Sequence, residues 1–127
     1  MADWTEEQLA QIDAAKELEI TSRRADGSLR SWLPIWVVRA DGEVFVRTWH
    51  PRTTGWFGQV VKSRGARIRV PGLETEVSVE DLGEGSDDLR ARVDDAYRTK
   101  YGRYGDGSVG QMLTDSAAAT TLRLVRD

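Results

Sequence analysis

The stretch Arg30-Ser-Trp-Leu-Pro-Ile-Trp-Val-Val-Arg-Ala40, followed by Asp41-Gly42 and by Glu43-Val-Phe-Val-Arg-Thr-Trp49, decides the fold. Both flanks are rich in β-branched and aromatic residues, and an Asp-Gly pair between two such runs is a strong short-range signal for a two-residue hairpin. The reading predicts two long strands, central in their sheet. Leu33, Ile35 and Val37 fall on one side of the first strand and Trp36 and Val38 on the other, while Val44 and Val46 oppose Phe45 in the second. A strand apolar on both faces needs a barrel interior on one side and a helix or a second subunit on the other. A homodimer is the expectation.

Working outward, Thr5 and Gln8 have the spacing of a capping box, with Trp4 and Leu9 placed as a hydrophobic staple, so a helix is predicted over about 5–16 with Leu9, Ile12 and Ala15 or Lys16 inward. Leu18 and Ile20 alternate as a strand does, and Ala25-Asp-Gly-Ser28 signals a turn. Beyond the hairpin come a loop over His50–Thr54, a short helix over Gly55–Ser63, a strand over Ala66–Val70, a Pro71-Gly72 turn and a strand over Leu73–Leu82. Ser86-Asp-Asp88 opens a second helix over about 86–101, with Leu89, Val93, Tyr97 and Tyr101 spaced by four and Arg98 and Lys100 at its end. A glycine-rich segment, Gly102–Gly107, leads through a short helical turn to a last strand over about 119–126. Six predicted strands, most of them over 17–82, with one helix inserted among them instead of regular βαβ alternation, give a single domain over 1–127. Its fold class is mainly β with peripheral helices (α+β), a closed antiparallel barrel.

The 127 residues are enough for one core, and 39% hydrophobic with 31% charged residues is the balance of a globular protein. The longest apolar run, Trp32–Val38, is broken by Pro34 and too short for a membrane span. The start of the chain lacks the basic and apolar regions of a secretory signal, so a cytoplasmic protein is expected. With no cysteine and one histidine, disulfides and thiolate sites are excluded and a protein-only metal site is not expected. Hard chemistry here would need a bound cofactor.

The charge is unevenly spread. Residues 44–73 hold no acid but carry Arg47, Arg52, Lys62, Arg64, Arg67 and Arg69; against an overall −3, these six cations leave the remainder at −9. Within that window the loop Arg47-Thr-Trp-His-Pro-Arg-Thr-Thr-Gly-Trp-Phe57 packs two arginines, three threonines, a glycine and two tryptophans into eleven positions. Arginine forks, hydroxyls and the N–H groups of a helix start suit a phosphate, and indoles cover a planar ring. Arg47 shares a strand face with Phe45 and Trp49, where a buried guanidinium calls for an anionic partner. Arg47 and Arg52 equally suit pairing with acids of the other helices. Arg67 and Arg69 alternate with apolar residues as on a half-exposed strand, and Lys62 and Arg64 suit a helix end. His50 reads as a surface residue. Tyr97, Arg98, Lys100, Tyr101, Arg103 and Tyr104 form a second aromatic and basic cluster, either a lid over the same pocket or helix-end packing.

The hairpin, loop and following helix and strand together resemble the FMN-binding split barrel of pyridoxamine 5′-phosphate oxidase-like proteins and their deazaflavin-dependent nitroreductase-like relatives. Trp4-Thr5, Glu17-Leu-Glu-Ile20, Arg23-Arg-Ala-Asp-Gly27, Ile35-Trp-Val-Val-Arg39, Lys100-Tyr-Gly-Arg-Tyr-Gly105 and Thr121-Leu-Arg-Leu-Val125 resemble a family of actinobacterial proteins with that fold. The resemblance implies a split β-barrel and places cofactor binding on Arg47, Thr48, Trp49, Arg52, Thr53, Thr54, Gly55 and Trp56. Thr48, Arg52 and Gly55 match the phosphate-binding pattern; the relatives' lysine is replaced near Thr54, and Trp56-Phe57 resembles the aromatic pair of the deazaflavin-dependent proteins. FMN, the deazaflavin coenzyme, another cofactor or none therefore stay open. In such barrels the cofactor commonly sits between subunits.

Three functions follow. The first is a flavin- or deazaflavin-dependent oxidoreductase, in which the cofactor does the chemistry and no side-chain acid or base is obligatory. The alternative is a non-catalytic ligand-binding or structural split barrel. The third, a single-stranded nucleic-acid binder, is disfavoured by the net charge.

Overall fold

The computed structural model describes residues 3–48 and 55–126. Thr5 caps α1 (Glu6–Ala14) through the capping box with Gln8. The chain then gives β1 (Leu18–Thr21), β2 (Leu33–Ile35), β3 (Val38–Ala40), β4 (Glu43–Val46), α2 (Gly55–Ser63), β5 (Gly65–Val70), β6 (Leu73–Gly83), α3 (Asp87–Tyr101), a short 3-10 turn over Gly102–Tyr104, α4 (Asp106–Gly110), α5 (Asp115–Ala118) and β7 (Thr121–Arg126). The N-terminal helix ends at Ala14, two residues before the expected boundary.

All seven strands form one antiparallel sheet in the order β2-β1-β5-β6-β7-β4-β3. The expected continuous strand Arg30–Ala40 is broken at Trp36-Val37, so the described residues form seven strands where six were predicted. Nor is that segment central: β2 pairs with β1 at one edge, and β3 pairs with β4 at the other. Local propensity describes both halves but cannot reveal a change of partner, because either half is equally good strand. Only two residues link β2 to β3, and Cα atoms three peptides apart lie within roughly 11 Å. The two edges therefore meet at Trp36-Val37, and the sheet curls on itself as a split barrel.

The concave side holds one core, with Ile20, Val44, Val46, Ile68, Leu122 and Leu124 from the strands and Val37 from the break between β2 and β3. Leu9 and Ile12 of α1 and Phe57 and Val60 of α2 join it. At about 1.5–3 kcal/mol for each large side chain buried, this cluster dominates the fold's stability. On the other face of β3 and β4, Val38, Ala40 and Phe45 pack against Val93, Tyr97 and Tyr101 of α3. The second apolar face of the hairpin is thus covered by a helix of the same chain. Leu33, expected to face a core, is 41% exposed on edge strand β2.

The break at Trp36-Val37 is held from α3. The Tyr101 hydroxyl accepts from the Val37 N–H at 3.0 Å and donates to the Lys16 carbonyl at 2.6 Å. Lys100 Nζ donates to the Val37 carbonyl at 2.9 Å and to the Ile12 carbonyl at 3.0 Å. A backbone leaving one strand edge for another has unpaired polar groups, and here two side chains of one helical turn supply the partners.

Candidate functional site

Directly after β4 ends at Val46, Arg47 is carried inward. Its side chain is fully shielded from solvent, and three of its donors are committed. Nε donates to Thr121 Oγ1 at 2.9 Å, and Nη1 donates to Asp94 Oδ1 at 2.5 Å and to the Met112 carbonyl at 2.9 Å. Nη2 is buried, with no hydrogen-bond partner among the described residues. The guanidinium also lies 5.5 Å from the centre of the Tyr97 ring, whose phenol is pushed above its ordinary value by burial. Thr48 is clamped by its backbone: its N–H donates to Thr120 Oγ1 at 3.0 Å. The pair Thr120-Thr121 at the start of β7 therefore fixes both Arg47 and Thr48.

Asp94 does more than answer Arg47. Its second oxygen faces Arg90 Nε at 3.6 Å, and Arg90 Nη1 reaches Glu84 and Asp115, each at 2.9 Å. Arg90 Nη2 donates to the Leu113 carbonyl at 3.2 Å. Two arginines bridged by one carboxylate thus tie the segment 112–115, between α4 and α5, onto α3 and the barrel.

Arg47 and Thr48 line a cavity of about 420 Å³ together with Trp36, Trp56, Glu17 and Met112. That size falls in the range of small-molecule sites, and the lining joins the two indoles to the polar or charged residues Glu17, Arg47, Thr48, Ser108 and Gln111. Trp36 is held flat, stacked on Tyr101 with ring centres 4.0 Å apart and planes 2° from parallel. Trp56 stands edge-on to the buried Phe57 at 5.6 Å. Gly55, which starts α2 at φ 59°, opens on a neighbouring cleft along that helix.

Of the residues singled out in the sequence, Arg47, Thr48 and Trp56 come together in one cavity and Gly55 lies beside it. Trp49, His50, Arg52, Thr53 and Thr54 lie outside the described residues. The second aromatic cluster is helix-end packing at Tyr97 and Tyr101, while Tyr104, 40% exposed, leans 6.2 Å from Trp36. Glu17, Ser108, Gln111 and Met112, which also line the cavity, were not foreseen, nor was Asp94. A signal for Asp94 existed: it stands seven residues before Tyr101, on the buried face of its helix, where a carboxylate requires a cation.

Two further cations of the basic window, Arg67 and Arg69, are answered locally. Arg67 binds Glu74 at 2.7 Å and Glu76 at 3.0 Å, and Arg69 binds Glu19 at 2.9 Å and stacks over Trp32 at 4.0 Å. Among the described residues no three His, Cys, Asp or Glu side chains are grouped to hold a metal ion, and no helix is long and apolar enough to cross a membrane.

Residues 8–124 match the family described as "Uncharacterized protein conserved in bacteria (DUF2255)". Among curated proteins none matches the chain by sequence. Solved structures do. A conserved hypothetical protein, Rv2991, of Mycobacterium tuberculosis superposes with a TM-score of 0.64 at 17% identity, covering 99% of this chain and 84% of its own. HutZ, the heme storage protein of Vibrio cholerae, gives 0.64 at 11% identity, covering 96% and 89%. A NimC/NimA family protein of Clostridium acetobutylicum gives 0.56 at 14%, covering 92% and 78%. At these identities the likeness is one of fold, and it is to split-barrel proteins.

Proposed function

The chain belongs to the DUF2255 family, and from that footing we propose that it binds a flavin or deazaflavin coenzyme in the cavity between Trp36 and Trp56 and acts as an oxidoreductase on it. The observation that carries this reading is the cavity of about 420 Å³ in which Trp36 and Trp56 meet Arg47 and Thr48. When bound, the coenzyme supplies hydride or electron transfer. The chain's own residues hold and shield it: Trp36 and Trp56 flank the ring, while Thr48 and Gly55 with Trp49, Arg52, Thr53 and Thr54 receive the phosphate end. The fold shared with proteins as different as a heme storage protein and a NimC/NimA family member is compatible with a planar ligand but does not choose it.

We place this activity in a single split-barrel domain working as a cytoplasmic homodimer. Exposed Leu33 and Pro34 on edge strand β2 stand at the cavity wall, where a second copy would cover them. Sedimentation of wild type against Leu33→Glu tests the dimer: the substitution is expected to leave monomer, and an unchanged wild-type monomer overturns it. Ligand carriage without turnover is the second reading, favoured because no described side chain of the cavity pairs an acid with a base. Nucleic-acid binding is the weakest, since Arg67 and Arg69 are already paired.

Titration of cofactor-stripped protein with FMN and with the deazaflavin coenzyme, beside Arg52→Ala, tests the proposal. Saturable binding of one, weakened about tenfold or more by the loss of a charge-assisted phosphate contact, is expected. Folded protein that binds neither contradicts it.

A further inference from the structure

We infer that Glu17 and Trp36 form a cation-accepting wall of the cavity, so that the substrate entering beside the coenzyme carries an organic ammonium group. The inference rests on the cavity assigned above and names the charge class of what enters it.

Strand register puts the two residues side by side. Leu18 pairs with Ile35, and one rung further Glu17 stands opposite Trp36. The next rung, Lys16 with Val37, is bridged by the Tyr101 hydroxyl, which donates to the Lys16 carbonyl at 2.6 Å and accepts from the Val37 N–H at 3.0 Å. Glu17 and Trp36 are therefore held between a direct pair and a bridged one, and residues opposed across antiparallel strands point to the same face. Both line the cavity, as that placement requires. The Glu17 charge also adds to burial in pushing the Tyr101 phenol up, as a carboxylate close to the Trp36–Tyr101 stack does.

The charges around the cavity point the same way. Among the described lining residues only Glu17 and Arg47 are charged. The Arg47 side chain is fully shielded from solvent and answered by Asp94. Glu17 is exposed and makes no ion pair or hydrogen bond among the described residues, and the ammonium of its neighbour Lys16 lies over the Tyr104 ring, 4.7 Å from the ring centre. The open charge of this lining is thus negative. Tyr101 covers one face of the Trp36 indole, and a cation takes the other. A carboxylate beside an indole suits an organic cation because the acid supplies charge and the ring its negative face, and neither requires an N–H, so even a fully alkylated ammonium is held. An anionic substrate meets only the repulsion of Glu17.

Benzyltrimethylammonium, whose charge no pH removes, is titrated into coenzyme-free protein while the Trp36 indole N–H signal is followed by NMR, with benzyl alcohol and benzenesulfonate as the uncharged and anionic probes. The cation is expected to shift Trp36 saturably, with an affinity that falls as salt is added and that drops about fivefold in Glu17→Gln, the size of one partly exposed ion pair. Benzyl alcohol is expected to bind wild type and Glu17→Gln alike, and benzenesulfonate to bind wild type more weakly than the variant. Glu7→Gln, on the exposed first turn of α1, is expected to match wild type for all three probes. A Trp36 signal that ignores the cation, or equal cation affinity in wild type and Glu17→Gln, overturns the inference. An equal loss in Glu7→Gln overturns it too, since the effect is then one of net charge. Titrating the same samples with FMN and with the deazaflavin coenzyme keeps the two readings apart: cation binding without either coenzyme removes the coenzyme and leaves the cation wall, and coenzyme binding without the cation does the reverse.

Discussion

Arg47 Nη1 donates to Asp94 Oδ1 at 2.5 Å across the seam between the barrel and α3, with the arginine side chain fully shielded and the aspartate side chain 13% exposed. Removing one member of such a pair leaves the other charge buried and unanswered. Asp94→Ala is expected to cost about 3–5 kcal/mol of stability, read as a lowered midpoint in urea. Glu74→Ala, which removes one of the two acids on the partly exposed Arg67, is expected to cost about 0–1 kcal/mol. Equal midpoints for the two variants would contradict the burial argument.

Tyr101 stitches the barrel where β2 gives way to β3. Tyr101→Phe keeps the stack on Trp36 but removes the oxygen that accepts from the Val37 N–H. A buried N–H without a partner costs about 1–3 kcal/mol, so denaturation should show that loss, while Tyr104→Phe, on an exposed ring, should lie within about 0.5 kcal/mol of wild type. No loss in Tyr101→Phe would mean that the break in the strand needs no pin.

Lys100 gives a pH dependence with a definite sign. Burial holds its ammonium down at about 8, against an ordinary 10.5. Between those values the unfolded chain binds more protons at this site than the folded one, so stability rises with pH. The gain begins near pH 8 and is opposed above about pH 10, where Tyr97 and Tyr101, both pushed up by burial, ionise first in the unfolded chain. Unfolding from pH 7 to 10 should therefore show an upward slope in wild type that Lys100→Met lacks. Identical slopes would exclude Lys100 as its source.

Much of this architecture is legible in the sequence because it rests on local chemistry. Thr5 with Gln8 and Ser86 with its acidic first turn mark helix starts by hydrogen-bond rules that act over three residues. The alternation in Ala66–Val70 reports a half-buried strand in the same way. The break at Trp36-Val37 is not legible, since what ends the strand there is the distant Tyr101 hydroxyl and Lys100 amine, reached only after the sheet closes. The site divides along the same line. The concentration of arginine, threonine and tryptophan over Arg47–Phe57 points to Arg47, Thr48 and Trp56. Glu17 and Gln111 reach the cavity from segments far away in the chain, and no local pattern distinguishes them from surface residues.

The most direct test of the account is an NMR titration of the indole N–H signals with FMN and with the deazaflavin coenzyme. Trp36 and Trp56 line the cavity, whereas the Trp4 indole is engaged with the Leu124 carbonyl at 3.0 Å. Binding in the cavity predicts that one coenzyme shifts the Trp36 and Trp56 signals saturably and leaves Trp4 in place. Signals that stay fixed for both coenzymes, or a response confined to Trp4, would contradict the claim that this cavity holds a flavin-type ring.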